Sequence, residues 1–251
     1  MTQELKQPPI VEAILDFDCD LPTNFKLAEL EEEAKAVLAK EYPVQQKKFG
    51  HHHTIKMQQD KPPLVSAVQG LEAILHKSQD GKQLIQVRNQ GYSFNRLAPY
   101  TILDDYLPEI KRTWNLYRDI ANPSLIRRIQ LRFINRILLP LTDGSVDLDD
   151  YFVVGPKLPD EDNLTFTGFV NQHSAYEQST GNRAKITTAS QDVENRHLPV
   201  LFDIETSNTS TIAPEEWGQI LGHVTSLRSL SNRIFEHTLT PPCMQLFNIP
   251  D

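Results

Sequence analysis

The run from Arg127 to Leu139 alternates polar and apolar residues with period two, which is the pattern of a half-buried strand. Arg128, Gln130, Arg132 and Arg136 fall on one face, and Ile129, Leu131, Phe133 and Ile137 on the other. Three guanidiniums on one face need anionic partners. Planar guanidiniums fork onto carboxylates and phosphates, so the stripe, with Asn135 close by on the opposite face, is a candidate site for a small anionic ligand or a partner protein. The competing reading is internal: Glu12, Asp16, Asp18, Asp203 and Glu205 lie in runs that also read as strands, and cross-strand ion pairs would make the stripe architecture. Ion pairing within the chain is favoured, because charges on a sheet are normally paired or solvated.

Other chemistry-bearing groups carry less. His51, His52 and His53 could suggest a metal, but strand alternation would split them between two faces, and no further ligand stands at a suitable spacing. Asp16, Asp18, Asp203 and Glu205 could converge as a two-metal centre, yet the neighbouring arginines favour salt bridges. No nucleophile elbow, phosphate-binding glycine loop, dinucleotide fingerprint or HExxH helix is present. The expectation is therefore no catalytic residue, no metal and no cofactor. Cys19 and Cys243, the two cysteines, lack metal or redox spacing and read as reduced and structural.

The elements that hold these residues follow from periodicity. Alternation from Val11 to Cys19 gives a strand with an acidic outer face, followed by a helix over 27–41 closed by Tyr42-Pro43. Strands are predicted over 44–57, 64–77 and 84–95, with a turn at 79–82, then a helix over 102–120 ending at Asn122-Pro123. The second half runs from the arginine strand at 125–139 through a short helical segment at 148–152 to strands at 164–176, 183–189 and 200–206. It closes with an amphipathic helix opened by Pro214 in an N1 position. The order strand, helix, three strands, helix thus occurs twice. It implies an α+β fold from a duplicated unit, residues 1–122 and 123–251, packed as one continuous domain. A largely antiparallel sheet of six to eight strands would carry the long helices on one face, and the first strands of the two halves would meet near a pseudo-dyad.

A chain of 251 residues can bury a core without a staple, and 39% hydrophobic with 23% charged residues suits a globular protein. A net charge of −8 argues against duplex nucleic acid or an anionic membrane as the principal partner. No stretch approaches eighteen apolar residues and the N-terminal run lacks a signal-peptide pattern, so a cytoplasmic location is expected.

Three runs together, Pro8-Pro9-Ile10-Val11-Glu12-Ala13-Ile14, Leu131-Arg132-Phe133-Ile134-Asn135-Arg136-Ile137 and Phe235-Glu236-His237-Thr238-Leu239-Thr240, resemble a sporadically distributed family of bacterial and archaeal proteins of about this length. The resemblance implies a small prokaryotic protein with an accessory role of the defence or toxin–antitoxin type. It assigns no activity and no catalytic residue. The reading is a non-enzymatic binding or interaction protein; the alternative is an enzyme acting on a phosphate-bearing or nucleotide substrate, with the arginines as clamp and a carboxylate as base.

Overall fold

The computed structural model describes residues 5–58, 61–159, 164 and 166–248, with the side chains of 51–58, 61–68 and 210 left undescribed. Among the described residues, nine strands form one antiparallel sheet: β1 (Ile10–Asp20), β2 (Val44–Gln58), β3 (Lys61–Lys77), β4 (Gln83–Arg88), β5 (Gly91–Leu97), β6 (Leu125–Pro140), β7 (Val170–Glu177), β8 (Asn182–Ser190) and β9 (His197–Ile212). Their spatial order is β2-β3-β4-β5-β1-β6-β9-β8-β7, so β1 and β6 lie side by side at the centre. The helices are α1 (Glu31–Leu38), α2 (Leu103–Ala121), α3 (Trp217–Thr238) and α4 (Pro241–Gln245). The α+β class and the largely antiparallel sheet are as the sequence implied.

Several elements differ from expectation. The run over 84–95 is two strands, because Asn89 and Gln90 make a two-residue hairpin turn where one continuous strand was expected. Gly91 then crosses β1 so closely that a Cβ would lie 1.9 Å from the Phe17 carbonyl oxygen, and its φ of +141° is glycine territory. The first half therefore carries four strands between its helices, not three, and the sheet has nine strands, not six to eight. Pro214 does not open α3, which begins at Trp217. Its carbonyl instead accepts the Trp114 indole N–H at 3.0 Å, an anchor between α2 and the start of the last helix. The helix expected over 27–41 is a 3-10 turn (Leu27–Leu30) followed by α1, and α4 was not foreseen.

Alternation decides which residues are buried. On β1, Ala13, Leu15 and Phe17 point into the larger core cluster together with Ile129, Leu131 and Phe133 of β6. Tyr106, Ile110 and Trp114 of α2 and Ile220, Val224 and Leu227 of α3 complete it. Phe17, Tyr92, Trp114 and Tyr117 pack ring against ring, with centroids 4.9–5.9 Å apart. A second cluster gathers Ile137 and Leu139 of β6, Val200, Phe202 and Ile204 of β9, and Leu239, Cys243 and Phe247. One residue on the core face of β6 separates the two clusters, and it is polar: Asn135, 1% exposed.

Candidate functional site: an ion-paired sheet face and a cavity behind it

The arginine face comes first. Asp18 of β1 stands directly opposite Arg128 of β6 and accepts from its Nε at 2.8 Å. Arg88 of β4 reaches the same carboxylate at 2.9 Å across Gly91, which has no side chain to block it. One row along, Asp16 accepts from Gln130 Nε2 at 3.1 Å and from the Ser93 hydroxyl. Burial raises the Asp16 carboxyl above its usual range, against the pull of Arg88. Arg132 reaches diagonally to Asp203 in a two-pronged contact, Nε to Oδ1 at 2.8 Å and Nη2 to Oδ2 at 2.6 Å. That contact raises the arginine's pKa further. Glu205, directly opposite Arg132, pairs with Lys185 at 3.3 Å.

Arg136 takes partners the sequence did not suggest: Glu194 at 2.7 Å and the Gln191 amide oxygen at 2.9 Å. Both come from the connection between β8 and β9, whose proximity no periodicity could announce. Glu12 accepts from Asn95 Nδ2 at 2.6 Å rather than from an arginine. Every guanidinium of the stripe thus has a carboxylate, and the face is a ladder of cross-strand charge pairs. Ser93, hydrogen-bonded to Asp16 as a nucleophile would be to a base, is only 1% exposed and is closed to any substrate.

The metal alternatives gather no support. Among the described residues no three His, Cys, Asp or Glu side chains converge as ligands. The side chains of His51, His52 and His53 lie outside the described residues. Cys19 and Cys243 are free thiols, and burial pushes both up to about 12, where neither is a nucleophile at neutral pH. No helix among the described residues is long and apolar enough to cross a membrane.

Asn135 leads to the other face of the sheet. Its Nδ2 donates to the Phe202 carbonyl at 2.9 Å and, more weakly, to that of Phe133 at 3.4 Å. Turning the amide over would set oxygen against oxygen, so the orientation is fixed by its neighbours. Oδ1 is left buried without a partner among the described residues. An acceptor in that state costs roughly 1–3 kcal/mol. Asn135 also lines a cavity of about 730 Å³, a size typical of small-molecule sites.

Six parts of the chain build the cavity. Phe133, Asn135 and Ile204 come from β6 and β9; Tyr100 to Asp105 lead into α2; Arg228, Ser231, Asn232, Phe235 and Glu236 project from α3; and Leu5 to Ile10 run alongside, with Met244 of α4. The N-terminal segment is held there because the Gln7 amide donates to the Phe247 carbonyl at 3.0 Å and the Arg136 amide to that of Pro9 at 2.9 Å. At the rim, Arg228 pairs with Asp104 at 2.8 Å. Asp104 and Asp105 occupy the first turn of α2, where carboxylates already complement the positive end of the helix. The side chains of Lys6, Asp105 and Glu236 make no ion pair among the described residues.

Sequence reasoning placed Asn135 on the face opposite the arginines but grouped it with them as one candidate site, whereas the cavity it lines lies on its own side of the sheet. It missed Tyr100, Ile102, Ser231 and Asn232. A signal was available: Asn135 interrupts the apolar face of its strand, as Ser231-Asn232 interrupts the stripe of the last helix. Two polar breaks in otherwise apolar faces mark the two walls of the cavity.

No protein-family model matches the chain, and no curated protein matches it.

Proposed function

We propose that this protein is a non-enzymatic binding module whose ligand occupies the cavity lined by Asn135, between α2 and α3. The observation that carries the reading is the buried, unpartnered Oδ1 on a residue lining a cavity of ligand size. Folding alone gains nothing from an unpaired acceptor there, whereas a bound donor would repay its cost. The three runs on which the family resemblance rests each contribute to the same cavity: Pro8 to Ile10, Phe133 with Asn135, and Phe235 with Glu236. We read the fold as a duplication about the β1–β6 pair with the long helices on one face, which would make the cavity a product of the junction between repeats. An accessory cellular role in a prokaryotic cytoplasm is consistent with this reading.

The alternative, an enzyme clamping a phosphate with the stripe, has less support. Arg128, Arg132 and Arg136 are committed to Asp18, Asp203 and Glu194, and the Ser93 hydroxyl bonded to Asp16 on that face is buried.

Native mass spectrometry of protein purified from its own host tests the proposal. Wild type should carry a non-covalent mass that is lost in Ile102→Trp, a substitution at a rim residue that is 56% exposed and so tolerant of size. An added mass retained in that variant but lost on disrupting the arginine face would contradict it.

A further inference from the structure

The charges and rings around the cavity specify its ligand more narrowly, on the premise that the cavity is the binding site. With Arg228 neutralised by Asp104, the remaining rim charges are Lys6 against Asp105 and Glu236, an excess of one negative charge. An anion entering there meets a repulsive field, and the start of α2 offers it no compensation because Asp104 and Asp105 already sit in its first turn. The apolar surface is mainly aliphatic, with three rings among it: Tyr100, Phe133 and Phe235 line the cavity, Tyr100 and Phe133 meeting edge to face at 6.1 Å. Ring faces carry partial negative charge and favour cations and N–H groups. Asn135 lines the cavity, and its Oδ1, buried and without a partner among the described residues, accepts hydrogen bonds and cannot donate them.

We infer that the cavity binds a small organic amine, an aromatic or aliphatic body ending in an ammonium or other N–H donor directed at Asn135 Oδ1. The acceptor selects a donor, the rings select an apolar or cationic body, and the rim selects against a carboxylate or phosphate. The arginine stripe does not alter this choice, because its guanidiniums are paired with carboxylates on the opposite face of the sheet.

Three near-isosteric probes test it: phenethylamine, phenylacetamide and phenylacetate, titrated calorimetrically into the intact protein. The amine should bind most tightly, the neutral amide more weakly, and the acid not measurably. Asn135→Leu should weaken the amine about tenfold, the loss of one hydrogen bond in a buried site. Because that variant also removes the bond to Phe202, Glu236→Lys is a second arm: this exposed position should leave folding intact, weaken the amine and improve the acid. Saturable binding of phenylacetate in preference to phenethylamine would overturn the amine inference while leaving the cavity as the site. Failure of all three probes would overturn the amine inference too, and the host-purified mass measurement would then decide the cavity by itself. Equal amine affinity in wild type and both variants would place the amine outside the cavity.

Discussion

Replacing Arg132 by methionine keeps most of its stem and removes the fork that holds Asp203. The contact is two-pronged and short, 2.8 and 2.6 Å, and the side chains are 35% and 15% exposed. A fully exposed pair would contribute about 0.2–1 kcal/mol, and losing one partner of a fully buried pair would cost about 3–5 kcal/mol. The half-buried position of Arg132 puts the cost of Arg132→Met between them, at about 2 kcal/mol. Most of this arises because Asp203 keeps its charge and loses its donor, Lys185 being engaged by Glu205. Asp203→Asn should cost about the same, leaving a guanidinium with Glu205 and Glu12 as its nearest remaining charges. The double variant should recover part of the loss, since the uncompensated charge is gone, giving a coupling energy of about 1–1.5 kcal/mol. Urea unfolding followed by fluorescence of Trp114 and Trp217 measures all four corners, and raised salt should shrink the coupling only modestly. Additive single losses would mean that the pair contributes nothing. Stabilisation of wild type by phosphate, lost in Arg132→Met, would mean that the arginine serves an anion instead of Asp203.

Other outcomes follow from single sites. Burial holds the His76 imidazole down at about 4, while an ordinary imidazole titrates at 6.5. The unfolded chain therefore takes up a proton that the folded chain refuses between those values, so this group's contribution to stability is whole above pH 6.5 and falls as the pH is lowered toward 4, by about 3 kcal/mol in all. His76→Leu should flatten that slope in unfolding measured across the window; an unchanged slope would remove His76 from the account. Gly91→Ala should cost more than about 3 kcal/mol or abolish folding, because a Cβ would strike the Phe17 carbonyl at a φ of +141°, and near-normal thermal stability would contradict the close approach. Trp114→Phe should cost about 1–2 kcal/mol through the lost indole bond to Pro214, visible as a lower midpoint in calorimetry.

Much of the sheet was legible because period-two alternation is a direct consequence of burying one face. β1 and β6 read clearly, and the juxtaposition of Asp18 with Arg128 follows once these two strands pair. The hairpin at Asn89-Gln90 was harder: the alternation of Ile85 and Val87 resumes out of phase at Tyr92 and Phe94, a shift that an irregularity within one strand would also give, and the meaning of Gly91 depends on how near Phe17 passes. Pro214 fits an N1 proline by composition, and only the tertiary position of Trp114 reveals its carbonyl as an acceptor. Arg136 was placed on the right face, but Glu194 arrives on a connection whose path is set by the long-range pairing of β8 with β9. The cavity was the least legible part, since it joins residues from six segments of the chain. A single strand shows only that Asn135 breaks an apolar face; what fills the gap is decided by where α3 lies.

The central claim is that the arginine face is internally neutralised and that binding occurs on the other side of the sheet. Nuclear magnetic resonance of amide and arginine Nε–Hε groups, with phenethylamine and inorganic phosphate titrated separately, addresses both halves at once. The account predicts saturable shifts from phenethylamine at Tyr100 to Asp105, Asn135 and Ser231 to Glu236, with the Nε–Hε signals of Arg128, Arg132 and Arg136 unmoved by phosphate. Saturable phosphate shifts at those three guanidiniums, with nothing at the cavity from the amine, would contradict it.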